Sequence, residues 1–413
     1  MLNKIEKVMR AVNHFLACMV ISAAAICGCS SNQSDSDFHV IDFEKSTFES
    51  QEVLMSDYVM DINYIPVETK DDVLIGEAKM FVLDGEILFW NPRGETVYVF
   101  SDSGKYLKNV GVSGRARGEF LGVANILQDE EGNYIFTSTK IIIYSKEDGS
   151  CIEEIARGDV KGTQLNRFTA PVYTGNGLFS ALHQANGAEL DSLVQFNVNK
   201  ELVGRSALGK MKIKGNQSVT LGNGKKVIIP PMLVPSCLYE YKGQLNYIPG
   251  SCDTLYTLKN NLLVPRIAFE YGALKEREVS KNSGGSFGII SQNFKGETER
   301  MWLLDLSYPN IKNTGPNSFS TSSDLVPFVY DKINHTASKL PYYEEFGKYG
   351  FKNDIDGGMP FWPVVIKGNK MYQYIDAVTF IEAAAKSSSA KMKEVAATLN
   401  EESNPVVVVA TLK

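Results

Sequence analysis

"AKMFVLDGEILFWNPRGETVYVFSDSGKYLKNV", residues 78–110, decides the fold. "KMFVL" and "EILFW" are short runs of apolar, β-branched and aromatic residues around "DG", which is a hairpin signal. "TVYVF" alternates into "SDSG" and emerges as "KYLKNV", a second hairpin. Two hairpins in succession make a four-stranded unit.

The unit recurs. Its first member returns as "VANILQDEEGNYIFTST" (123–139), "FTAPVYTGNGLFSALHQ" (168–184), "SCLYEYKGQLNYIPGS" (236–251) and "FWPVVIKGNKMYQYI" (361–375), with the more irregular "FGIISQNFKGETERMWLLDLS" (287–307) before the last. Its second member returns as "KIIIYSKEDGSCIEEI" (140–155), "SLVQFNVNKELVGRS" (192–206), "DTLYTLKNNLLVPRIAF" (253–269) and "PFVYDKINHTASKL" (327–340). The spacing of roughly 45–70 residues is in the range of propeller blades. From residue 40 onward there is room for about six.

Both ends of this region then acquire a role. "FHVIDFEKSTFESQEVLMSDYVMDINYIPVET" (38–69) has strand patterning outside the counted hairpins, and "NPVVVVATLK" (404–413) reads as a buried strand. A propeller closes its ring by completing one blade from both chain ends, leaving only short, protected edges. Before the last strand, residues 378–403 are rich in Ala, Lys and Glu and predict one helix. The expected fold is therefore all-β: a six-bladed β-propeller of four-stranded blades over residues 38–413, closed by strands from both termini, with one C-terminal helix.

Residues 1–37 stand apart. Lys4, Lys7 and Arg10 precede the apolar "FLACMVISAAAI" (15–26), too short to span a bilayer. This is a secretory signal pattern, assigned here to residues 1–28. It ends in "ICGC", which resembles the bacterial lipobox, in which cleavage falls before a lipidated cysteine, here Cys29. Residues 29–37 read as a flexible lipidated tether. Two or more acyl chains anchor a protein stably, so the membrane is an expected partner through Cys29. Cys151, Cys237 and Cys252 remain, an odd count that argues against a disulfide framework, although Cys237 and Cys252 flank one hairpin and a bridge there is open. The 413 residues suit two or three average domains or one large all-β domain. A net charge of −6, with no basic cluster, argues against nucleic acid as a partner.

The lipobox, "VFSDSGKYLKNVGVSGRARGEF" (99–120), "CDTLYTL" (252–258), "NDIDGGMPFWP" (353–363) and "NPVVVVATLK" together resemble the six-bladed β-propeller lipoproteins of Bacteroides-type bacteria, relatives of the NHL-repeat propellers. The resemblance covers essentially all of residues 29–413. It implies a propeller and a cell-envelope location, with the outer membrane as the expected site, but no particular activity. One departure is local: the family usually shows Gly-Pro-Gly-Glu-Phe where this chain has Ala116-Arg117-Gly118-Glu119-Phe120, without the rigid proline.

Three stretches carry candidate chemistry. In "NDIDGG", Asp354 and Asp356 have the spacing that opens a calcium loop, but position twelve is Val365 rather than Glu, and Pro360 and Pro363 forbid the exiting helix. A looser calcium site on Asp354 and Asp356 competes with a structural turn, in which the aspartates cap backbone N–H groups, Gly357 and Gly358 supply positive φ, and Trp362 plugs the last blade. In "GVSGRARGEF" (111–120), Arg115 and Arg117 with Glu119 could form a ligand site, the arginines clamping a carboxylate or sulfate in a bidentate fork. The competing reading is a linker whose Phe120 packs and whose Glu119 pairs locally. His39, His183 and His335 are far apart in sequence, which argues against a tri-histidine metal centre, and no G-x-S-x-G nucleophile signature occurs.

No catalytic residue is assigned. The leading expectation is a non-catalytic envelope lipoprotein that binds or scaffolds a glycan, peptide or protein ligand. The alternative is a propeller hydrolase or lyase with a divalent metal on the central axis.

Overall fold

The computed structural model describes residues 38–413 apart from 47–49, 157, 164–170, 185–189, 209–216, 221–222, 225, 230–235, 250–252, 272–290 and 316–317. Six antiparallel sheets follow one another as the blades of a propeller. Blade 1 is Lys79–Leu83, Glu86–Trp90, Val97–Ser101 and Tyr106–Val110; blade 2 is Asn125–Gln128, Tyr134–Thr137, Ile141–Tyr144 and Cys151–Ile155. Blade 3 is Val172–Gly175, Leu178–Gln184, Leu190–Asn197 and Leu202–Ala207; blade 4 is Cys237–Tyr241, Gln244–Ile248, Thr254–Lys259 and Leu262–Glu270. Blade 5 is Ser291–Glu297, Met301–Gly315, Ser318–Asp331 and Thr336–Lys339. Blade 6 combines Val365–Lys367, Lys370–Ile375 and Val406–Leu412 with Val59–Pro66 from the other end of the chain.

The closing strand behaves as its sequence demands. Val406–Leu412 lies between Lys370–Ile375 and Val59–Pro66 and pairs with both. Its side chains alternate between two apolar clusters: Val406, Val408 and Ala410 pack toward blade 5, Val407 and Val409 toward blade 1. Blade 1 shows the same division, with Ile87 and Phe89 on one side and Leu88 and Trp90 on the other. A strand buried on both faces needs a continuous apolar run, which is why "VVVVA" and "ILFW" lack polar alternation. Among the described residues there are six such clusters, one at each interface between successive blades, so the core is a ring of wedges.

Asn404 fastens the closing strand at its start. It is 3% exposed. Its Oδ1 accepts from Ile75 N at 3.0 Å, and its Nδ2 donates to Glu68 O at 2.9 Å and Val73 O at 2.7 Å.

The N-terminal segment runs as a belt over three blades. His39–Asp42 adds a parallel strand to the outer edge of blade 4. Ser50 bridges Lys339 on the outer strand of blade 5, Leu54 bridges Lys352, and Val59–Pro66 then forms the outer strand of blade 6.

The helical region differs from expectation in one respect. Instead of a single helix there are two, Ala377–Lys386 and Ala390–Ala396. The serines between them are the cause. Ser389 caps the second helix through Met392 N and donates to Asp356, so its side chain is committed to the break.

Strand alternation sorts the connections. Turns between first and second strands, and between third and fourth, lie on one face of the ring and span at most six residues. The helices and the loop carrying Arg115 and Arg117 lie on the opposite face.

A polar channel on the propeller axis

The first strand of each blade lies at the edge of its sheet and pairs on one side only. Its other backbone edge therefore presents unpaired N–H and C=O groups. Around the axis these strands enclose a cavity of about 1160 Å³, lined from blades 1, 2, 4, 5 and 6. Gly296 permits the approach of blades 5 and 6, because a Cβ there would stand 2.5 Å from Ile366 Cδ1.

Blades 4 and 5 supply the most organised part of the wall. Tyr239 and Phe294 stack with ring centroids 4.3 Å apart. The Tyr239 hydroxyl donates to Glu297 at 3.0 Å. Arg266 grips the same carboxylate with two bonds, at 2.6 and 2.9 Å, and Lys332 adds a third cationic contact at 2.6 Å. Tyr241 lies beneath both cations, 5.1 Å from Lys332 and 6.0 Å from Arg266. Burial, reinforced by Glu297, pushes the Tyr239 hydroxyl well above its usual range, so it remains a hydrogen-bond donor. Burial also lowers the Lys332 ammonium below its usual value, against the opposing pull of Glu297. Nearby, Lys295 pairs with Asp305 at 3.0 Å, and Trp362 Nε1 donates to the same carboxylate at 3.0 Å. Trp362 is thus anchored by a polar bond as well as packed.

The candidates from sequence lie elsewhere. Arg115, Arg117 and Glu119 sit at the blade 1–2 junction and do not line the cavity. Glu119 accepts from Ala116 N at 2.8 Å, closing its own turn, and Phe120 packs in the cluster between those blades. Both arginines are exposed. Burial works against it, but Gly118 N–H, Lys140 and Arg117 hold the Glu154 carboxyl below its usual value.

Asp354 and Asp356 face different partners. Asp354 accepts from the backbone N–H and hydroxyl of Ser56. Asp356 accepts from Asn353 Nδ2 at 2.8 Å, Gly358 N at 3.0 Å, Tyr64 Oη at 3.1 Å and Ser389 Oγ at 2.5 Å. The turn therefore joins the outer strand of blade 6, Val59–Pro66, and the Ser56 turn before it to the helices. Gly357 has φ +73°, as expected, but Gly358 does not share it. Gly358 is needed for space, since a Cβ would meet the Tyr64 hydroxyl at 2.3 Å. Among the described residues no group of three or more His, Cys, Asp or Glu side chains is arranged to hold a metal ion.

Cys29 and Cys252 lie outside the described residues; Cys237 is a free thiol on the channel wall, and burial pushes it up to about 11. His39 and His335, distant in sequence, stack at 5.2 Å against Tyr330, away from the axis. Among the described residues no helix is long and apolar enough to cross a membrane.

Sequence reasoning did not single out the channel wall. Its only available signal was a charged residue inside an innermost strand, as in the Lys295 to Glu297 stretch, where an apolar residue is the norm.

Comparison with curated proteins found no match. Among solved structures, the chain is similar to a Bacteroides fragilis protein (BF0058) named for its expected export: 14% identity, 92% of this chain and 100% of that chain covered, TM-score 0.59. It is also similar to a DUF4221 family member from Bacteroides vulgatus, at 9% identity over 88% of this chain and 99% of that one, TM-score 0.44. The first likeness supports the propeller fold. The family match runs over residues 38–411, the whole ring from the N-terminal belt to the closing strand, and the chain belongs to the family described as domain of unknown function DUF4934.

Proposed function

We propose that this chain works outside the cytoplasm, held to the cell envelope by lipid on Cys29, as a propeller that binds a glycan, peptide or protein ligand in its central channel. The observation that carries the reading is the channel itself, a cavity of about 1160 Å³ whose wall is a fixed array of aromatic and hydrogen-bonded polar groups. Pockets with a few convergent polar groups on a rigid frame are the usual form of a binding site. The signal and lipobox pattern of residues 1–29 supports the location, as does the expected export for which the Bacteroides fragilis neighbour is named. Arg115 and Arg117 are a second, separate candidate surface on the face with the long connections.

A thermal-shift screen of the detergent-solubilised full chain against glycans and peptides tests this. A ligand at 100 times its Kd adds about 2.7 kcal/mol. For a ring of this size that raises the melting temperature by about 3 °C. The shift is expected to vanish in Lys295→Ala and to persist in Arg115→Ala/Arg117→Ala. The reverse pattern would move the site from the channel to the arginine loop.

A further inference from the structure

Within the channel reading, on which this rests, we infer that the wall formed by blades 4 and 5 is a subsite for a neutral saccharide ring. Three features of the wall define the chemistry.

The first is charge. The wall's ions are already matched: Glu297 by Arg266 and Lys332, Lys295 by Asp305, Arg300 by Asp331 at 2.9 Å, and Lys242 by Glu299. Glu240, at the rim, caps Gly243 N–H. A charged ligand would have to compete for one partner of these pairs and leave the other without its counter-ion. Separating one of the first three, whose carboxylates are buried, is strongly unfavourable. Lys242 and Glu299 form an exposed pair at the rim, so it is the inner wall that selects against ions.

The second is shape. Tyr239, Tyr241 and Phe294 are half-buried residues of the cavity lining. One face of Tyr239 and one of Phe294 are taken by their mutual stack, and Lys332 and Arg266 lie over Tyr241, so the aromatic surface beside the fixed polar atoms is what their remaining faces and edges offer.

The third is the backbone. The innermost strands Cys237–Tyr241 and Ser291–Glu297 have bare edges, which offer donors and acceptors in alternation. A purely apolar ligand would leave these groups without partners. A flat heteroaromatic base stacks well, but each of its ring and exocyclic polar atoms is fixed as a donor or an acceptor. A pyranose has an apolar C–H face for the aromatic surface. Each of its hydroxyls both donates and accepts, which suits an alternating backbone edge. It carries no charge to disturb the ion pairs.

The test is titration calorimetry of the detergent-solubilised full chain. The probes are neutral oligosaccharides (gluco-, manno-, xylo- and galacto-configured), oligouronates of matched length, and nucleosides. At least one neutral series is expected to bind. Its affinity should fall tenfold or more in Phe294→Leu, which keeps apolar volume but removes the flat face, and in Tyr241→Ala. Circular dichroism melts identify any variant that fails to fold, and the other then carries the test. Binding of oligouronates or nucleosides alone, or no binding across the whole panel, overturns the saccharide inference. A peptide or other non-saccharide ligand that is lost in Lys295→Ala would overturn it while leaving the channel reading intact. Saccharide binding unaffected by Phe294→Leu, Tyr241→Ala and Lys295→Ala overturns both.

Discussion

Asn404→Ala should loosen the ring where its two ends meet. Asn404 is buried, and its amide satisfies three backbone groups: Ile75 N–H, Glu68 C=O and Val73 C=O. Alanine fills too little space to admit ordered water to all three. A net contribution of about 0.5–1.5 kcal/mol per hydrogen bond, with a further cost for a buried N–H left alone, sums to about 3 kcal/mol. Unfolding entropy of about 2.1 cal/mol/K per residue, over the 376 residues from 38 to 413, gives about 0.8 kcal/mol/K. The expected drop in Tm is therefore about 4 °C by differential scanning calorimetry. Asn400→Ala is the control. Its side chain accepts from Glu402 N in an exposed turn four residues earlier, and its loss should move Tm by less than 1 °C. If Asn404→Ala melts with the control, the clamp does not hold the closure and the reasoning fails.

Truncation before Asn404 should abolish cooperative melting, because each large side chain of the closing strand loses about 1.5–3 kcal/mol of burial; deleting residues 30–36 should leave the melt unchanged. Glu297→Gln strands Arg266 and Lys332 together and should cost about 3–5 kcal/mol in urea denaturation. Lys242→Ala, which breaks only the exposed pair with Glu299, should leave the urea midpoint unchanged. The Lys348 ammonium has no hydrogen-bond or ion-pair partner among the described residues, and burial lowers it to about 8. Between there and its unfolded value the unfolded state holds more protons, so this residue makes stability rise with pH from about 8 to about 10. Lys348→Met should flatten that rise in denaturation midpoints taken across the window, and an unchanged slope would refute it. Cys29→Ala should abolish incorporation of a fatty-acid analogue and release the protein from membranes; label that persists in the variant places the lipid elsewhere.

The blades were legible because their strands carry the signature of two-sided burial. "ILFW" and "VVVVA" have no polar alternation to lose, and the turns between them are marked by Gly, Asn and Asp. Ring closure was legible for the same reason. The helix break was harder to see, since "KSSSAK" is weak punctuation until Asp356 is known to stand beside Ser389. The channel was hidden for a different reason. Glu297 acquires its meaning from Arg266, on another blade, and from Lys332, in the turn that follows Ser318–Asp331. No local pattern announces such a meeting. Arg115 and Arg117, conspicuous in a glycine-rich loop, sit away from the axis, and the two carboxylates of "NDIDGG" are occupied at the seam between the Ser56–Pro66 segment and the helices.

The belt also decides where a mechanical load would go. Any pull on residues ahead of Phe38 reaches His39–Asp42 first, a four-residue strand paired on one side only. Val59–Pro66, which completes blade 6, lies further along the chain and is held over eight residues against the closing strand. Peeling the short strand would expose only Ile41 and then Phe43 and lengthen the connection by the slack of the belt, while the ring stays shut. The first strand of the fold is thus a mechanical fuse, sparing the closure from tension applied at the N-terminal side.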